Sequence, residues 1–158
     1  MKSRNSYLIL GVLMIVLLMP YSAGAVWHIG CVDCPRYFTG NGISSRSLAL
    51  DSSGNPHIVY GGGNGIYYAY YDGASWHIET VDISVGSYQP SIAIDSLDKA
   101  HISYRDSYPN YTLKYATNAS GSWVTEIVDS EGSFSSSIAI DSSDKVHISH
   151  DAPSKREA

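Results

Sequence analysis

The chain has 158 residues, 44% hydrophobic and only 16% charged, with a formal charge of −5. That supplies one buried core and excludes global disorder, while an acidic balance without a basic stripe excludes nucleic acid as the main partner. Two Cys exclude a disulfide-rich miniprotein, and 13 Tyr with 14 Gly suit short strands and tight turns better than long helices.

Residues 1–25 read as a signal peptide. Lys2 and Arg4 give a basic start, Tyr7 to Met19 is unbroken apolar sequence, Pro20 ends it, and Ala23-Gly24-Ala25 supplies the small-x-small cleavage pattern. The apolar run is about 13 residues, short of the roughly 20 that span a bilayer as a helix. Cleavage after Ala25 implies an exported product, secreted or at the cell surface, with no membrane segment afterwards. Next comes Cys31-Val32-Asp33-Cys34. In an exported chain a Cys31–Cys34 disulfide is expected over free thiols. A redox pair would want a helix start where Pro35 stands, and a zinc site a second ligand pair.

The rest repeats itself. SLALDSSGNPHIVY begins at Ser47, SIAIDSLDKAHISY at Ser91 and SIAIDSSDKVHISH at Ser137. A second phrase recurs out of phase: VWHIGCVD at Val26, SWHIETVD at Ser75 and SWVTEIVD at Ser122. GIYYAYYD from Gly65 and YTLKYATN from Tyr111 occupy matching places between them. Each unit of about 45 residues thus holds four segments, a to d, and period-two patterning predicts a strand for each. In a, Ile92 and Ile94 share one face; in b, Ile102 and Tyr104 oppose His101 and Ser103. Ser53-Gly54-Asn55-Pro56, Ser96-Leu97-Asp98-Lys99 and Asn118-Ala119-Ser120-Gly121 carry the turn chemistry.

Four strands per unit predict an all-β fold, an incomplete β-propeller of four-stranded antiparallel blades. The full blades are 47–82 and 91–129; flanking partial blades are a lone d strand at Val26–Asp33 and an a–b pair at 137–151; 152–158 is a polar tail. A β-sandwich would not require one phrase to recur with matching side chains. The propeller region is therefore 26–151. Its blade count does not close a ring, which leaves three readings: a fragment of a longer protein, a homo-oligomer completing the ring, or a monomer with frayed edges.

The phrase S-[IL]-A-[IL]-D-S-x-x-x-x-H-I-[SV]-[YH], with the d strand G/A-S-W-x-x-E-x-V-D, resembles repeats of exported bacterial and archaeal β-propellers. These are similar to sialidase-like and fucose-lectin-like propellers. The resemblance spans about residues 26 to 151, implies blade architecture, and is weak for activity. The turns also resemble the Asp-box of sialidase-like blades, but no Gly-x-Thr-Trp follows the acid.

His57, His101 and His147 open strand b in each copy, and a structural hydrogen bond to the recurring Asp51, Asp95 and Asp141 accounts for them better than a metal. Calcium at these acids, helped by Asp98 or Asp144, lacks oxygens, and Gly54 replaces the second acid in the first copy. No metal and no cofactor is predicted. Trp27, Trp76 and Trp123 open strand d, where packing competes with sugar stacking. Alternation within Tyr67–Tyr71 turns some rings outward, so Tyr68, Tyr70, Trp76 and Trp123 are the candidate ligand-binding residues. Asn110-Tyr111-Thr112 and Asn118-Ala119-Ser120 are sequons.

A sialidase-like site needs three clamping Arg, and the few Arg, among them Arg46 and Arg105, do not recur between units. No nucleophile elbow, P-loop or H-E-x-x-H is present. The sequence therefore points to an exported non-catalytic binding protein whose partners are glycans or surface proteins. The alternatives are a sialidase-like glycoside hydrolase remnant and a truncated product without activity of its own.

Overall fold

The computed structural model describes residues 30–34, 42–62, 64–83, 88–106, 109 and 111–151. The signal segment, Trp27, Asn110 and the tail 152–158 lie outside the described residues. Two units are distinguished, Met1–Cys34 and Pro35–Ala158. In the first, Gly30–Cys34 form bends and a turn, and a disulfide joins Cys31 to Cys34 with their Cα atoms 5.9 Å apart. This corrects the expected strand reaching Asp33, because three extended residues would separate those Cα atoms by about 10 Å.

The second unit contains only strands as regular elements among its described residues. Sheet A is the meander β1 (Leu48–Leu50), β2 (Pro56–Gly62), β3 (Gly65–Tyr71) and β4 (Trp76–Asp82). Sheet B repeats it as β5 (Tyr88–Ile94), β6 (Ala100–Arg105), β7 (Leu113–Thr117) and β8 (Val124–Asp129). Sheet C is the hairpin β9 (Ser136–Ile140) and β10 (Val146–His150). All pairs are antiparallel. The fold is all-β and built of four-stranded antiparallel sheets in a partial, propeller-like succession; the described residues form no closed ring.

The a–b turns show why the sequence recurs. Asp51, Asp95 and Asp141 each accept the N–H three residues on and return their own N–H to the carbonyl of Asn55, Lys99 and Lys145. Position four must be left-handed, with φ of 82° at Gly54 and 58° at Asp98 and Asp144. Gly takes that conformation freely and Asp tolerates it, which explains this short vocabulary.

Register assigns each sheet two faces. One face of sheet A carries Ala49, His57, Tyr70 and His77 in a row, with Val59, Tyr68 and Glu79 beside it. The opposing face of sheet B carries Ile92, Ile102, Ala116 and Thr125. Between them lies the core: Val59, Ile66, Tyr68 and Val81 from sheet A against Ile92, Ala100, Ile102, Tyr104 and Ala116 from sheet B.

The same polar links recur from sheet to sheet. Ser52 donates from N and Oγ to Asp98 at 2.7 and 2.8 Å, and Ser96 does the same to Asp144 at 2.9 and 2.6 Å. Asp82, ending β4, accepts from the Tyr104 hydroxyl at 2.6 Å and Lys114 Nζ at 2.9 Å in sheet B. Its repeat counterpart Asp129 has His150 Nε2 of sheet C at 3.6 Å.

Candidate functional site

Each complete sheet holds a hydrogen-bonded relay on one face. In sheet A, His57 Nδ1 meets the Tyr68 hydroxyl at 2.5 Å and Nε2 lies 3.5 Å from Asp51. In sheet B, His101 Nδ1 meets the Tyr115 hydroxyl at 2.6 Å and Nε2 lies 3.1 Å from Asp95. One arrangement satisfies every atom: the tyrosine O–H donates to Nδ1, and Nε2–H donates to the carboxylate. In sheet C, His147 Nε2 lies 3.0 Å from Asp141, with no tyrosine beside it among the described residues.

Burial pushes the Asp51 and Asp95 carboxyls up, but hydrogen bonds outweigh it and hold both below the usual carboxylate range. Asp51 accepts from the Asn55 side chain and backbone, the Ser53 N–H and His57; Asp95 accepts from the Lys99 N–H, His101 and the Leu97 N–H. Desolvation raises the Tyr68 hydroxyl well above its ordinary value, as does the charge of Glu79.

Above the sheet A relay opens a cleft of about 640 Å³ between sheets A and B. Its floor is aromatic. Tyr68 and Tyr70 stack at 5.5 Å, and Tyr70 continues onto His77 at 4.9 Å with the rings 20° apart. Trp123, the residue before β8, stands edge-on to Tyr68 at 5.2 Å and 71°. Its Nε1–H donates to Glu79 at 2.7 Å, which fixes the indole across the boundary between the sheets. Strand parity makes this contact. Glu79 lies three residues past Trp76, so the two point to opposite faces of β4; the same holds for Trp123 and Glu126. The Trp of one sheet can thus meet the Glu of the sheet before it.

The walls are polar. Asp51, Asp72, Glu79 and Asp98 line the cleft, with Lys99 and Asn118. Asp72 at the mouth accepts from the N–H groups of Ala74 and Ser75 and from His77, and these bonds, that of Ser75 foremost, hold its carboxyl well below the usual range. Asn118 Oδ1 accepts the Ala100 N–H at 2.9 Å, so this sequon asparagine serves strand pairing as well as lining the cleft. Among the described residues no arginine lines it and no cluster of His, Cys, Asp and Glu could hold a metal.

Of the four candidate residues, Tyr68, Tyr70 and Trp123 come together in this cleft. Tyr68 is 2% exposed and forms the floor rather than an outward ring, because Trp123 covers it. Trp76 lies on the other face of sheet A, against Tyr71 at 5.6 Å, and takes no part in the cleft. Of the repeated acids and histidines only Asp51 and His57 line it; Asp95, Asp141, His101 and His147 hold the turns and relays of the later sheets. Sequence reasoning did not reach Glu79, Asp72 or Asp98 as cleft residues. For Asp98 the signal was present, since Ser follows each strand-a Asp and a second Asp recurs two residues later in the sheets that follow another.

No protein-family model matches the chain, and neither does any curated protein. Among solved structures, a fucose lectin from Kordia zhangzhouensis, determined in complex with methyl-fucoside, is similar at 16% identity and a TM-score of 0.48, over 66% of this chain and 81% of that one.

Proposed function

We propose that this chain is an exported, non-catalytic glycan-binding protein that takes a neutral or amino sugar in the cleft between sheets A and B. The observation that carries the reading is the fixed indole of Trp123 beside the Tyr70–His77 stack, with carboxylates on the surrounding walls. A pyranose presents one C–H face and a rim of hydroxyls. The C–H face lies on the aromatic surfaces, and the hydroxyls donate to Asp72, Asp51 or Asp98, whose oxygens keep lone pairs beyond their present bonds. Four carboxylates against Lys99 disfavour sialic and uronic acids, each charge pair at about 4 Å being worth on the order of 1–4 kcal/mol between bulk water and a protein surface. An open cleft of this kind suits about −4 kcal/mol per site, a millimolar monosaccharide affinity raised by multivalent presentation.

The hydrolase alternative finds less support. Arg46 donates to the Ser136 carbonyl at 3.3 Å, and the Arg105 guanidinium lies 5.1 Å over the Tyr111 ring; neither lines the cleft. A glycan array with the full chain tests the proposal. Neutral or amino glycans are expected to bind, with signal lost at least about tenfold in Trp123→Ala and reduced in the exposed turn variant Asp72→Asn. Silence across the array from folded protein, or hits confined to acidic glycans, contradicts it.

A further inference from the structure

The face of sheet B turned toward sheet C repeats the His, Tyr and Glu of the sheet A face as His101, Tyr115 and Glu126, with Thr117 and Val124 where Tyr70 and His77 stand, and β9 packs over its β5–β6 half. Val81 of β4 is 7% exposed, whereas its counterpart Val128 of β8 is 44% exposed. Glu79 accepts the Trp123 indole, whereas Glu126 is exposed with no such partner among the described residues. His57 and His101 each hold a tyrosine hydroxyl; His147 keeps its carboxylate and has no such hydroxyl among the described residues. Asp82 accepts from both Tyr104 and Lys114 of the next sheet, whereas Asp129 accepts the nearby Glu131 N–H and, from the next sheet, has only His150 among the described residues. Finally, β2 and β6 pair on both edges, while β10 pairs among the described residues with β9 alone.

These differences lie together at one edge and one face. We infer that the outer edge of β10 and the adjoining face of β7–β8 form a docking site for a β-hairpin of the chain's own c–d type, supplied by a further polypeptide segment. Its first strand pairs antiparallel with β10 and carries Tyr opposite Ser149, as Tyr115 stands opposite Ser103. That tyrosine reaches His147, the preceding Lys reaches Asp129, and the Trp opening the second strand gives its N–H to Glu126. Strand addition supplies main-chain bonds and the three side chains supply choice of partner. The acidic pair Glu126 and Asp129 selects a hairpin bearing a cation and an indole, which continues the interface already formed between sheets A and B.

The probe is a fluorescein-labelled peptide of residues 111–129, titrated into the full chain by anisotropy. Saturable binding is expected, weakened about tenfold by Trp123→Ala in the peptide or by Glu126→Gln in the full chain. Because a free hairpin must also be ordered on binding, residues 106–129 are in parallel appended after Asp151 in place of the tail. The appended segment is expected to raise Tm, and Trp123→Ala within the added copy to abolish the rise. Response in either format with these sensitivities supports the inference. Failure in both, binding indifferent to Trp123 and Glu126, or self-association of the chain that the added segment does not relieve, overturns it; the last assigns the face to a second copy.

Discussion

The recurring Asp does two jobs at once, closing a turn and anchoring a histidine. Asp95 illustrates the balance: its side chain is 9% exposed, yet the N–H groups of Leu97 and Lys99 and the His101 ring keep the charged form favoured. The linkage has a definite sign. A carboxyl whose folded value lies below its unfolded value stabilises the fold fully above the ordinary carboxylate range, and that stability is lost as pH falls through the lowered value. Asp51, Asp95 and Asp141 all shift in this direction, the last through His147 and then the N–H groups of Lys145 and Ser143. Denaturant midpoints are therefore expected to fall once pH drops below about 4. Asp95→Asn is expected to cost about 1–2 kcal/mol at neutral pH and to flatten that acid loss, as read by urea melts across pH. A variant with an unchanged acid limb contradicts the assignment. The Asp, His and Trp of these arrangements were legible because they recur at fixed places. Tyr68 and Tyr115 were not singled out as relay partners, because one sits in a tyrosine-rich run and the other in YTLKYATN.

At the scale of the strand, a sheet is as buried as its neighbours make it. Leu48 of β1 is 60% exposed, while its counterparts Ile92 and Ile138 are each 6% exposed because sheets A and B cover them. Period-two patterning made the strands legible, but no pattern within one unit tells which copy lacks a neighbour. The seryl links show how a sheet registers on the next. Ser96→Ala is expected to lower stability by about 1 kcal/mol in denaturant melts. Ser142→Ala should change it little, since Ser142 has no such partner among the described residues; equal effects would contradict the link. Gly65 opens β3 with φ of 155° and the Asp82 carbonyl where a Cβ would stand. Gly65→Ala is expected to cost about 1–3 kcal/mol, and a neutral result in the same melts would remove the steric reason for this glycine.

Across the whole second unit, the core sits between sheets A and B, and sheet C adds a two-stranded cover at one side. β6 is buried along nearly its whole length, while β10 alternates between half-buried and exposed. Hydrogen exchange should therefore be slowest in β6 and fastest in β10, and the reverse order would place the core elsewhere. The sequence carried the repeat and therefore the sheets; it did not carry the cleft, which exists only where a Trp-bearing strand of one sheet meets the aromatic face of the sheet before it. The most direct test is the Trp123 indole N–H resonance in an NMR titration of the full chain with neutral, amino and acidic monosaccharides, assigned by its loss in Trp123→Phe. A saturable shift with neutral or amino sugars, and none with sialic or uronic acids, is the predicted result. An indole that stays still while another tryptophan resonance moves, or that responds to the acidic sugars first, would contradict the cleft as the binding site.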